Sequence, residues 1–192
     1  MPKVHRNGQA EILETEQMDQ LMRELSAAPR AILSVCRFTA ARINEALSLR
    51  WESLTPTHVV IPKMCTKKKM GTRSIHLNPL LKEEMDKWRD VWVSEQGRDP
   101  QKTDLLFPSR KDANAKFPRR TVDHAMRKAC EKLGFVGCST HSFRRSALTQ
   151  AHSKGVPLKT LQTLSGHASL DMLSKYISIS EEQRRKAALA FG

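Results

Sequence analysis

Apolar residues recur at helical spacing over most of this chain and at strand spacing over one short stretch. Thr15 is placed to cap a helix running to about Ser26, and Pro29 suits the first turn of the next. There Leu33, Cys36, Ala40, Ile43 and Leu47 fall three or four apart, which predicts one continuous helix with a buried stripe. The period changes near Trp51. Residues 58–77 predict a hairpin: Val59, Val60 and Ile61 suit a strand, KKKMG suits a turn, and SIHL alternates. Helical spacing returns in NPLLKEEMDKWRDVWVSE, followed by a loop holding the apolar patch LLFPS. A helix over RRTVDHAMRKACEKLG stops at Gly134, another runs from Ser139 and Thr140 to near Gly155, and a short one from Pro157 to Ser165 closes at Gly166. Ser169 starts the next, and Ser180 with Gln183 forms a capping box for a last helix ending in AALAF. The expected class is therefore mainly α with one small antiparallel sheet (α+β).

Composition narrows the partner. A length of 192 residues suits one domain, and 39% hydrophobic content supports a modest core. The formal charge is +13, so a folded domain needs a polyanionic partner or must tolerate self-repulsion. Nucleic acid leads. A membrane is disfavoured, because no long apolar run, signal peptide or lipidation motif is present. Association with ribosomes stays open on charge alone. Cys36, Cys65, Cys130 and Cys138 form no CxxC pair and read as free intracellular thiols, which points to the cytoplasm. Cys138 and His141 have C-x-x-H spacing, but no second pair completes a zinc site.

Four local features are weak one at a time. In HSFRR, His141 and Arg144 share a helix face while Arg145 points elsewhere, as on any basic surface helix. Arg42 borders the apolar stripe and Glu45 lies one turn on, a pairing common in structural ion pairs. Lys67, Lys68 and Lys69 crowd a turn, as solvated edges often do. His167 follows a helix stop. Tyr176, the only tyrosine, comes nine residues after it.

Their order is distinctive. Arg-x-x-Glu, a hairpin lysine, His-x-x-Arg, Gly-His and then Tyr is the pattern of tyrosine recombinases, the phage-integrase family, and the chain resembles that family's catalytic domain from about residue 12 to the end. The stretches RINEALSLRW, LFPS, HSFRRSALTQAHSKG, LQTLSGHASL and KYISIS resemble family counterparts. The resemblance implies catalytic roles for Arg42, His141, Arg144, His167 and Tyr176, with Glu45 supporting. Counting back from Arg73 points to Lys68 as the catalytic lysine, and a one-residue insertion in KKKMG makes it Lys67. Thr39-Ala40-Ala41 stands where relatives commonly have Thr-Gly, and alanine fits a helix better. Ser165 stands where Leu often precedes Gly-His. The polar residues 1–11 read as a flexible N-terminus, the resemblance implies 12–178 as the catalytic domain, and the apolar cluster in the C-terminal helix 179–192 either folds back in cis or, as the resemblance implies, docks on a neighbouring protomer. Many relatives carry an N-terminal DNA clamp of roughly a hundred residues; this chain is either a fragment or a compact recombinase like the fimbrial-switch invertases.

The chemistry that this resemblance implies is transesterification at phosphorus on double-stranded DNA, without a nucleotide cofactor or metal. Tyr176 attacks a phosphodiester and expels a 5′-hydroxyl, forming a 3′-phosphotyrosine. Arg42 and Arg144 clamp the phosphate, with donors from His141 and His167. His141 is the candidate base, and the hairpin lysine protonates the leaving group. Candidate DNA contacts are Lys69 and Arg73 on the hairpin, Arg110, Lys116, Arg119 and Arg120 in the basic loop 109–120, and Arg145. Homotetramer assembly on DNA, with an accessory DNA-bending protein as an option, belongs to the same expectation. The competing readings are a strand-passing topoisomerase or resolvase with the same chemistry, and a non-catalytic DNA-binding protein with the same fold.

Overall fold

The computed structural model describes residues 9–65 and 71–191. Within them the helices are α1 (Thr15–Arg23), α2 (Ala27–Thr39), α3 (Ile43–Ala46), α4 (Pro79–Gln96), α5 (Arg119–Leu133), α6 (Thr140–Ser153), α7 (Leu158–Ser165), α8 (Leu170–Ser174) and α9 (Glu181–Leu189). Between α3 and α4 run β1 (His58–Ile61) and β2 (Arg73–His76). The chain is mainly α with a small antiparallel sheet, as its residue pattern predicts.

Helix α2 is the central post. Ala31, Ile32, Leu33, Val35 and Cys36 are fully buried, and the helix packs against α3, α4, α5 and α6. From α4, Trp88 and Trp92 reach into the same core, and their indole N–H groups donate to the carbonyls of Leu106 (2.8 Å) and Leu105 (3.2 Å). That explains the apolar loop patch: Leu105, Leu106 and Phe107 are core residues, the first two with their carbonyls satisfied by tryptophans and the third by the Phe117 amide. A second, smaller apolar cluster joins Ala40, Leu148, Leu161 and Leu173, with Tyr176 and Ile177 packed against it. It holds the C-terminal third of the chain to the end of α2.

Strands β1 and β2 pair antiparallel, with Val59 opposite Ile75 and Ile61 opposite Arg73. Alternation sends Val59, Ile61, Arg73 and Ile75 to the buried face. The turn bearing Lys67, Lys68 and Lys69 lies outside the described residues.

Two boundaries differ from expectation. Glu14, rather than Thr15, occupies the N-cap of α1, closing a capping box with Gln17, and the helix ends at Arg23. More consequentially, the predicted helix through Leu33 and Leu47 is two helices. It breaks at Ala40, whose φ of 51° is left-handed. Thr39 prepares the break: its hydroxyl donates to Val35 O (2.6 Å) and accepts from the Ala41 N–H (3.2 Å). The i,i+3/i+4 stripe survives because α3 resumes on the same side.

Candidate active site

The break at Ala40 turns the chain so that Arg42 stands at the N-cap of α3, partly exposed, while Glu45 is buried beneath it at 2% exposure. Glu45 gathers three donors. Arg42 contributes its amide (2.9 Å) and its guanidinium (3.0 Å), and Arg73 contributes Nη2 at 2.6 Å. Burial pushes the Glu45 carboxyl upward, but the Arg73 charge, the Arg42 amide and the Arg42 charge outweigh it and hold the group below the usual carboxylate range.

Arg73 requires a correction. It was expected to contact DNA, yet its side chain is buried and both ends of its fork are engaged, with Glu45 and with the Leu164 carbonyl (2.9 Å). The reason is strand alternation: Arg73 shares the inward face with Ile75. It is a strut between β2 and the helix stop after α7. Gly166 makes room for it, since a Cβ there would stand 3.1 Å from the Arg73 Cδ and Nε, and the φ of 66° independently suits glycine.

The same helix stop receives a second arginine. Arg144, on the inner face of α6, is only 1% exposed. It donates through Nη1 to the Ala40 carbonyl and through Nη2 to the Ser165 carbonyl (2.9 Å). Leu164 and Ser165 thus hold one arginine each. Burial first, then repulsion from Arg42, pushes Arg144 down to about 9, which leaves it cationic at neutral pH. Its Nε is buried without a hydrogen-bond partner among the described residues. The imidazole of His167 lies against it, with Nη2 3.2 Å from Nε2 and 3.5 Å from Nδ1. Burial, followed by Arg144, Arg42 and Arg73, pushes His167 down to about 3, so it is neutral. Tyr176 completes the group: its ring centroid is 4.8 Å from that of His167 and 5.8 Å from the Arg144 Cζ.

His141 sits one turn before Arg144 on the exposed side of α6 and borders two recesses. One holds Tyr176, Lys175 and Arg145, and the other holds Arg42, Asn44, Lys116 and Arg119. It therefore stands between the tyrosine and the first arginine. Lys116 and Arg119 face the Arg42 recess, Lys116 donating to the Ser48 hydroxyl (2.7 Å). Arg120 is exposed, and Arg110 is exposed beside Glu95 at 3.2 Å. Arg145 donates to the Ala10 carbonyl (2.5 Å), tying the N-terminal segment to α6. Lys67, Lys68 and Lys69 lie outside the described residues. Among the described residues no three His, Cys, Asp or Glu side chains gather as metal ligands. The sequence reading missed the tasks of Arg73, Ala40 and Ser165. For Arg73 a signal existed, the period-two pairing with Ile75; for a carbonyl acceptor such as Ala40 none does.

Residues 11–183 match the sequence profile of the Phage integrase family. The chain belongs to that family. Within the phage integrases it is similar to tyrosine recombinase XerH of Helicobacter pylori, 26% identical over 92% of this chain and 48% of XerH. It is also similar to the putative integrase/recombinase y4qK of Sinorhizobium fredii, 30% identical over 78% of this chain and 46% of that protein. The chain spans about half the length of these relatives. The fold is that of XerA recombinase (TM-score 0.77, 18% identity, 96% of this chain and 66% of that one). A structure of XerH bound to difH substrate superposes with a TM-score of 0.73 at 22% identity, covering 95% of this chain and 53% of that one. No helix among the described residues is long and apolar enough to cross a membrane.

Proposed function

We propose that this chain is the DNA-cleaving and rejoining part of a site-specific recombinase, with Tyr176 as nucleophile. The observation that carries this reading is the contact of the only tyrosine with His167, ring on ring at a 53° tilt, beside the buried Arg144 guanidinium. A phenol placed beside a buried guanidinium suits phosphoryl chemistry, because a desolvated cation stabilises an oxyanion strongly. The XerH structure bound to difH and a lambda integrase dimer bound to a core site support DNA as the substrate, as does the +13 charge.

In the proposed reaction the Tyr176 oxygen attacks the scissile phosphorus, the P–O bond to the 5′-oxygen breaks, and the phenol proton passes to a base. His141, between the tyrosine and Arg42 recesses, is positioned for that proton. The departing 5′-oxygen takes a proton from the hairpin lysine, Lys68 or Lys67. Arg42 and the unpartnered Nε of Arg144 supply donors to the non-bridging oxygens. Attack by a 5′-hydroxyl of another strand reverses the step and rejoins DNA. Lys116 and Arg119 contact flanking phosphates from the recess wall. Helix α9 has no buried residue, and Phe191 is 90% exposed; we assign it to docking on a neighbouring protomer, linking activity to a tetramer on DNA.

The test uses nicked duplexes carrying the inverted repeats that flank the coding sequence. Wild-type protein should yield a denaturation-resistant protein–DNA band in chelator, and Arg42→Ala and Arg144→Ala should reduce it at least ~100-fold. Failure of wild type across all candidate repeats would favour a DNA-binding module.

A further inference from the structure

The Ser165 hydroxyl is fully buried and makes two short contacts: 2.6 Å to the Leu161 carbonyl and 2.7 Å to His167 Nδ1. Each contact needs one proton between the heavy atoms. A carbonyl has none to give, so the single hydroxyl proton goes to Leu161 O, one turn back along α7. The contact with His167 must then be filled by a proton on Nδ1. We propose that Ser165 is a positioning residue that fixes His167 as the Nδ1–H tautomer and so leaves Nε2 as the ring's acceptor, under the Arg144 guanidinium that rests on the ring. The neutral state of the buried ring agrees, because a neutral imidazole has one proton to place.

Ser165 therefore holds Arg144 twice. Its carbonyl accepts from Nη2 at 2.9 Å, and its hydroxyl orients the ring on which the same nitrogen rests, 3.2 Å from Nε2 and 3.5 Å from Nδ1. The guanidinium fork is held at both ends, by the Ala40 and Ser165 carbonyls, and Nε has no hydrogen-bond partner among the described residues. A ring held this way carries its lone pair on Nε2 and donates there only after taking up a second proton. A leucine at position 165 would supply the carbonyl but leave the ring proton free to sit on either nitrogen. The catalytic consequence rests on the recombinase reading; the tautomer does not.

Long-range proton–nitrogen correlation spectra of nitrogen-15-labelled protein report which ring nitrogen carries the proton, with His167→Asn identifying the signal. Wild type should show Nδ1–H. Ser165→Ala should move the proton wholly or partly to Nε2 and slow covalent adduct formation roughly tenfold, the loss of about one hydrogen bond's worth of orientation, with DNA affinity unchanged. Ser165→Thr, which keeps the hydroxyl, should restore both. An Nε2–H ring in wild type overturns the proposal without any variant having to fold. So does a tautomer unmoved in Ser165→Ala, or a moved tautomer with an unchanged adduct rate. If wild type forms no adduct on any DNA, the recombinase reading fails while the ring spectrum still decides the tautomer.

Discussion

At the scale of single residues, two arginines that look alike in sequence have opposite tasks. Arg73 is buried against Glu45, whereas Arg119 stands on the wall of the Arg42 recess beside Asp123. Without Arg73 the buried Glu45 keeps Arg42 as its one cation, so Arg73→Ala should lower unfolding free energy by about 3 kcal/mol, the low end for a broken buried pair, in urea titrations. Arg119→Ala should change stability by under about 0.5 kcal/mol yet reduce the salt slope of DNA binding by about one. His167 gives a pH signature. Its folded value is pushed down to about 3 from 6.5, so its contribution is fully present above pH 6.5 and is lost as pH falls toward 3. The loss is about 1.4 kcal/mol per pH unit. Melting temperature should drop between pH 6.5 and about 4.5, and His167→Asn should flatten that slope. Of this scale the catalytic candidates were legible as an ordered pattern, because each is a chemically distinctive residue at a fixed offset. Arg73 was not, because its charge suggests DNA while its inward task depends on strand alternation, and Ser165 registered only as a departure from the family's usual leucine.

Elements were legible where period and caps agreed. Gly134 and Gly166 end their helices in left-handed conformations, and the Ser180–Gln183 box opens α9. The break between α2 and α3 escaped, since alanine is the strongest helix former and the apolar stripe runs through it. Only the tertiary demand for the Ala40 carbonyl at Arg144 reveals why the helix ends there. Ala40→Gly should therefore stay within about 1 kcal/mol of wild type, relief of the left-handed strain offsetting the lost methyl and the added unfolded-state freedom. Ala40→Val should lose at least about 2 kcal/mol, because a β-branched side chain resists positive φ. It should also lose adduct formation, as the carbonyl shifts away from Arg144. Urea unfolding and a denaturing gel check the two outcomes.

For the whole molecule, the physical organisation is one core with a small annex. The large cluster around α2 and the tryptophans sets the frame. The annex of Ala40, Leu148, Leu161 and Leu173 fixes Tyr176 against that frame. Arg144 is covered, so under the proposed reaction the phosphate meets Arg42 and the His141 side first and reaches Arg144 only after a local rearrangement. Helix α9 stands outside both clusters. A chain ending at Ile179 should keep its melting temperature within about 2 °C and lose higher-order assembly on DNA in sedimentation, a result that separates docking in trans from folding back in cis.

The central claim is that one phenol becomes covalently joined to DNA. Because Tyr176 is the only tyrosine and follows Lys175, trypsin isolates it in a peptide ending at Arg184. Mass spectrometry of the nuclease-trimmed adduct from a nicked duplex should place the nucleotide on Tyr176 in that peptide, and Tyr176→Phe should bind the duplex equally while giving no adduct. A nucleotide on any other residue, or an adduct that persists in Tyr176→Phe, would contradict the account.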